Sequence, residues 1–288
     1  MLQELLDVVI SGLTTGSVYA VMAAGMALVY GVSKVFNFAY GSFYTLGGYL
    51  AWLFLSQKLP YLLVLALLIP SLYISGYLTE RWVIRPLRNR RDWEMLVMLV
   101  TLGLAIFMDN YYLILFGSFV KKIPPLTTGS IEIGTVVISF QDAAIFLIAI
   151  VAISLLIFFL QKTRQGKAVR AVSQDMTGAQ IVGIAKDRIF SMIFAISTVL
   201  VGTSGMLLGP KYFVSPLGGW DILIKAWVIT ALGGMGSVMG SLFAAFLLGI
   251  IEALVAWQFG FTRILFAWFG VLIITLIIRP QGLFGVRR

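Results

Sequence analysis

The chain has 288 residues, 60% of them hydrophobic and only 11% charged, with a mean hydropathy of +1.00 and a formal net charge of +9. A soluble domain carries about 25% charged residues, so this composition excludes an ordinary water-soluble fold. The absence of Cys and His excludes thiol and disulfide chemistry, the usual zinc and haem ligands, and the commonest general base near neutral pH.

The few charges are bunched, and the stretches between them approach the ~20 apolar residues needed to cross a bilayer. In chain order, crossings are predicted at about 5–31, 36–56, 59–79, 94–116, 142–160, 189–209 and 263–278. The first begins MLQELLDVVISG, with Glu4 and Asp7 but no basic residue, so it reads as a retained helix and not a cleaved signal. A longer run at 222–257 is broken by GGMGSVMGS at 233–241, and reads as a short half-helix that turns and comes back. The expected fold class is an all-α polytopic membrane protein with about eight transmembrane helices plus broken or re-entrant segments, forming a single transmembrane domain over 1–288.

Sidedness follows from the basic residues. With the N-terminus outside and the broken run entering and returning, fifteen of the 21 Lys and Arg fall inside. The outer side receives Lys58, Lys121, Lys122, Lys211, Lys225 and Arg263. The positive-inside rule therefore selects N-out/C-in, and it explains the net charge without nucleic acid. The outer loop 117–141 carries Pro124-Pro125 and then alternating IEIGTVVISF, which predicts an extended hairpin. Trp52, Tyr61, Trp82, Trp93 and Trp220 read as anchors at the membrane interface.

The inner segment TRQGKAVRAVSQDMTGAQIVGIAKDR, 163–188, is polar and basic between two greasy runs. On helical geometry Val169, Val172, Met176, Ala179 and Val182 make one apolar stripe, with Gln174, Asp175 and Gln180 opposite. Gly178 and Gly183 interrupt, predicting two short helices and a bend. Such a stripe suits either the membrane interface or a groove on a cytoplasmic partner.

Within the crossings, polar groups are candidates for the pathway. Asn37 sits in KVFNFAYGSF, where its amide either bonds broken backbone or faces a solute. Asp109-Asn110 lies inside GLAIFMDNYYLILFG, and Asp109 could meet a substrate ammonium or pair with a Lys or Arg. Glu252, in GIIEALVA, either caps the Gly-rich turn or lines the path, and Gly234 and Gly236 offer free backbone N–H groups to it or to a substrate carboxylate. The spacings Gly12/Gly16, Gly205/Gly209 and Gly236/Gly240 read as helix-packing seams.

Four blocks in register resemble the branched-chain amino acid permeases (LivH/LivM type) of ATP-binding-cassette importers. They are GLTTGSVYAVMAAGMALVYGVSKVFNFAYGSFYTLGGYLA (12–51), ERWVIRPLRNR (80–90), ALGGMGSVMGSLFAAFLLGIIEAL (231–254) and RPQGLFG (279–285), and the lever-like 163–188 resembles that family's coupling loop. The match is closer to the H-type subunit, since the chain is short and has no extra N-terminal helices. The resemblance implies a permease that is not itself an enzyme and needs no cofactor of its own, with ATP and magnesium on two separate ATPase subunits. This fits the lack of a phosphate-binding loop, for Gly166-Lys167 has neither the upstream Gly nor a following Ser or Thr.

It further implies a second, LivM-like permease, an extracytoplasmic binding protein and a place in the bacterial inner membrane. The cytoplasmic coupling loop, 161–188, would act through Arg170, Asp175, Met176, Val182, Gly183 and Ile184. The family pattern has glutamine then asparagine at 109–110, which favours Asn110 over Asp109 as a shared element. The implied cargo is a branched-chain amino acid. The rival expectation is a self-sufficient ion-coupled carrier or channel using Asp109 and Glu252.

Overall fold

The computed structural model of the chain describes residues 2–127, 129–133 and 136–285. Apart from one small hairpin, its regular elements are helices. They are α1 (Leu2–Ser33), α2 (Tyr40–Ser56), α3 (Tyr61–Thr79), α4 (Trp93–Phe116), α5 (Phe140–Lys162), α6 (Arg164–Gln174), α7 (Met176–Ile181), α8 (Lys186–Tyr212), α9 (Gly219–Gly233), α10 (Val238–Phe259) and α11 (Ile264–Ile278). Among the described residues seven helices are long and apolar enough to cross a bilayer. The protein is an all-α polytopic membrane protein. The expected second crossing, α2, has only 17 residues, and α9 only 15.

Two boundaries differ from the sequence expectation for physical reasons. The block ERWVIRPL is helical where a loop was expected: α3 continues through a π turn, Glu80–Ile84, into a 3-10 turn, Arg85–Leu87. Glu80 and Ile84 are buried there, so burial holds the charged block against the protein, and Pro86, which has no N–H to give, ends the helix. The broken run does turn and come back after a short first arm, α9, but its return is longer than expected. Its second arm, α10, has 22 residues, a full crossing by itself. Lys225 meets Glu252 and Gly233 meets Gly240, so α9 and α10 form an antiparallel pair. The turn between them needs Gly234 at φ 102° and Gly236 at φ 88°, a region where a Cβ is strained. Gly236 therefore sits in the turn, not on a helical seam with Gly240.

The loop at 117–141 contains a hairpin, as its alternation predicts. Strands β1 (Ser130–Ile133) and β2 (Val136–Ser139) pair antiparallel, with Ser130 opposite Ser139.

The chain folds as two compact units, each built from separate stretches. One comprises 1–27, 125–153 and 225–288; the other comprises 28–124 and 154–224. In the first, α1 meets α10 through Gly12, Gly16 and Gly249, where an added Cβ would strike backbone. In the second, α2 and α3 both pack on α8. Gly47 meets the backbone of Gly202, and Gly205 meets the carbonyl of Tyr44. These are the small-residue seams that allow close approach in hydrocarbon, where burial of apolar surface drives no association. A core of Tyr49, Leu68, Leu72, Tyr112 and Met206 fills the space beside them, with the Tyr49 and Phe116 rings stacked at 4.1 Å.

Candidate functional site

Three polar constructions stand out, one in the first unit and two in the second. In the first unit, Lys225 of α9 places its Nζ 2.9 Å from Glu252 Oε1 and 3.1 Å from Oε2 on α10. The Tyr19 hydroxyl of α1 donates to the same carboxylate at 3.0 Å. The ammonium also lies 4.9 Å from the Tyr19 ring centroid and 5.3 Å from that of Trp268 on α11. Four helices thus converge on one ion pair, whose side chains are 18% and 8% exposed. An ion this far from water is tolerated only when paired and hydrogen-bonded, and the two ring faces add cation–π attraction.

This corrects one sequence expectation, for Glu252 does not cap the Gly-rich turn. The tail caps that turn instead: Leu283 N–H donates to Leu232 O at 2.8 Å and Phe284 N–H to Gly233 O at 3.1 Å. Gly234 has no space for a Cβ because Gly285 passes against it.

In the second unit, Asp109 of α4 is buried at 3% exposure. Its Oδ1 accepts from Ser42 Oγ of α2 and its Oδ2 from Trp220 Nε1 of α9, each at 2.8 Å. Tyr112, one turn on, donates its hydroxyl to Ser42 O at 3.1 Å. Asp109 therefore has two neutral donors where a Lys or Arg was one expectation. Trp220 is one of them and is not a plain interface anchor. Helix α9 can start this close to α2 because Gly41 and Gly219 meet backbone to backbone. Asn110, the neighbour, is exposed, and its amide donates to Ile106 O of its own helix at 2.7 Å. Asn37 is buried, with Oδ1 accepting from Ala39 N–H at 3.0 Å. That bond closes the turn which opens α2, and this amide completes broken backbone.

The third construction is the lever, residues 163–188. It consists of two short helices, but the bend falls at Asp175, not at Gly178. Asp175 ends α6 in an extended conformation and its Oδ1 accepts from Thr177 N–H and Gly178 N–H, so it caps α7. Gly183, at φ 84°, then closes α7: Ile184 N–H donates to Ala179 O and Gly183 N–H to Gln180 O, both at 3.0 Å. That pairing is a Schellman motif, which wants Gly at this position.

The stripe also divides. Val169, Val172 and Ala179 are buried against the protein and Met176 is half-buried. What the lever presents is Ile181, 81% exposed, and Val182, 75% exposed, with Arg170, Asp175 and Gly183 exposed around them and Ile184 partly so.

The lever is tied to the end of α3. Asp187, in the first turn of α8, accepts from Arg85 at 2.9 Å and from Arg88 at 3.1 Å. Arg88 also bonds Glu80, which in turn accepts from Ser191 of α8, and its guanidinium lies 4.5 Å from the Phe190 ring centroid. Burial lowers the Arg88 pKa from its ordinary value, and Asp187 opposes that shift. Sequence reasoning missed this network, although the Glu-Arg and Arg-Pro-Leu-Arg spacing carried its signal: charges kept in an apolar chain imply partners.

Helices of crossing length packed through glycine seams define a polytopic membrane helix bundle. The chain belongs to the family described as branched-chain amino acid transport system / permease component, which matches residues 8–279. It is 33% identical to the high-affinity branched-chain amino acid transport system permease protein BraD of Pseudomonas aeruginosa, over 97% of this chain and 95% of that one. It is 30% identical to the LivH permease protein of Escherichia coli, over 96% and 94%. It is 26% identical to the LivM permease protein of the same organism, over 96% of this chain and 69% of that one.

Proposed function

We propose that the chain is one permease subunit of an ATP-binding-cassette importer for branched-chain amino acids, paired in the bacterial inner membrane with a LivM-like subunit. Two ATPase subunits holding ATP and magnesium press on the lever, a binding protein delivers solute from outside, and the N-terminus lies outside with the C-terminus inside. Family membership supports the transport role, and the names of the BraD, LivH and LivM relatives support the cargo and the permease pair.

The observation that carries the mechanical part is the exposed Ile181–Val182 tip on a doubly capped, ion-paired lever. Two apolar side chains left open beside charged neighbours suit a protein groove, which takes short helices by such anchors. Force applied at the tip reaches α8 through the α7 cap, and reaches α3 through Asp187, Arg85 and Arg88. The ion-coupled alternative needs Asp109 or Glu252 open to an ion. Both have their oxygens engaged by fixed neighbours, which favours structural roles for them.

Co-purification tests the lever. Ile181→Asp with Val182→Asp, expressed beside the ATPase partners, is expected to release them while leaving the fold intact. Undiminished association removes the tip from the interface.

A further inference from the structure

A cleft of about 800 Å³ lies between α3, α8 and the lever, with Gln165, Gln180, Gly183 and Ile184 of the lever in its lining. The two helices run antiparallel there, since Glu80 meets Ser191 and Gly76 meets Thr198. One end of the cleft is therefore basic, with Arg85, Lys186 and Arg188, Met192 lies one turn further along α8, and the other end is aromatic, with Tyr73 and, bonded to Arg81, Tyr77. Tyr73 and Arg85 are twelve residues apart on a continuous helical path, roughly 18 Å at 1.5 Å per residue. The aromatic end opens onto the surface of α3 that exposes Leu67, Ile74 and Tyr73, a surface suited to lipid.

The basic end is unbalanced. Asp187, the acid on the rim, is taken by Arg85 and Arg88. Lys186 and Arg188 make no side-chain hydrogen bond or ion pair among the described residues. The capping position of α8 is Ala185, which has no side-chain oxygen, and the backbone N–H groups of Lys186 and Asp187 find no acceptor among those residues. Two free cations and an uncapped helix N-terminus on one wall form a seat for an anion. An anion seat continuous with an apolar groove matches a molecule charged at one end and greasy at the other.

We propose that this cleft binds an anionic phospholipid, its phosphate held by Lys186, Arg188 and the α8 N-terminus, one acyl chain lying along the groove past Tyr73 and Met192. The site requires only that the chain span a membrane, although its lever wall shares Gly183 and Ile184 with the surface proposed for the ATPases. A lipid held there would brace the lever against α3.

The test uses the full chain in nanodiscs of phosphatidylcholine doped with phosphatidylglycerol, with the retained lipids counted by native mass spectrometry. The wild type is expected to retain phosphatidylglycerol over phosphatidylcholine. The Lys186→Gln, Arg188→Gln double variant is expected to bind it about thirtyfold more weakly, from the loss of two charges near a membrane surface. Lys162→Gln with Arg164→Gln removes two exposed cations elsewhere on the inner segment and should leave retention unchanged. Four results would overturn the proposal: no preference between the lipids; equal loss in both double variants, which means diffuse surface charge; displacement by excess inorganic phosphate, which means a soluble-anion site; and retention unchanged in the Lys186/Arg188 variant while ATPase association is lost, which makes the cleft a protein seat.

Discussion

Lys225 and Glu252, 27 positions apart in sequence, form a buried ion pair at 2.9 Å that joins α9 to α10, with Tyr19 bonded to the same carboxylate. Its energetic character is asymmetric. Removing one partner leaves the other charge stranded, at about 3–5 kcal/mol, whereas replacing both with apolar groups of similar volume is close to neutral or stabilising. Lys225→Met alone is expected to lower the thermal unfolding midpoint sharply, and Lys225→Met with Glu252→Leu to recover most of the loss. A double variant as unstable as the single would show that the carboxylate, through Tyr19, matters more than the pairing.

Asp109 makes a different prediction because its partners are neutral. Asp109→Asn keeps an oxygen for Trp220 Nε1 and offers its amide to Ser42, so stability should change by less than about 1 kcal/mol. Asp109→Ala strands both donors, and each buried unmet group costs about 1–3 kcal/mol. Trp220→Phe should fall between the two. Unfolding in detergent, followed by fluorescence or calorimetry, gives the order.

Glycines separate by what surrounds them. Gly103 of α4 has open space around it, so Gly103→Ala should stabilise by about 0.5–1 kcal/mol through helix propensity. Gly183 also has open space but sits at φ 84°, so Gly183→Ala should cost about 1–2 kcal/mol by strain and fray α7. Gly47→Ala would drive a Cβ into the backbone of Gly202 and should cost more than either. Melting points of the three variants check the ranking.

The lever's buried and exposed residues should part in the same way. Val169→Asp puts a charge into packed surface and is expected to destabilise the protein by about 3 kcal/mol or more. Val182→Asp, on the exposed tip, should stay within about 0.5 kcal/mol of wild type. Parallel melts of the two variants decide it, and a destabilised Val182→Asp would mean that the tip is packed.

Long apolar runs made most crossings legible in the sequence, because bilayer thickness and backbone satisfaction leave few alternatives. Turn chemistry and alternation also placed the hairpin at 130–139. Partners across helices were not legible. Nothing local to Glu252 points to Lys225, counted only among the outer-side charges, which lies inside a helix where an opposite charge 27 residues away meets it. Trp220 misled for the same reason, since an indole at a crossing end looks alike whether it faces lipid or Asp109. Periodicity found the lever's stripe but could not say which residues the protein itself would cover. Val169 and Ala179 pack inward while Val182, on the same nominal face, stands out, because α7 ends at Ile181 and the chain leaves the helical path at Val182 and Gly183.

The most direct measurement is solute uptake in sealed vesicles holding this chain, its permease partner, the ATPases and the binding protein, with wild-type and Ile181→Asp, Val182→Asp levers compared. The account predicts leucine uptake that requires ATP inside, ignores the collapse of ion gradients and vanishes with the altered lever although the protein remains folded. Uptake by this chain without any ATPase, driven by a proton or sodium gradient and indifferent to the lever, would contradict it.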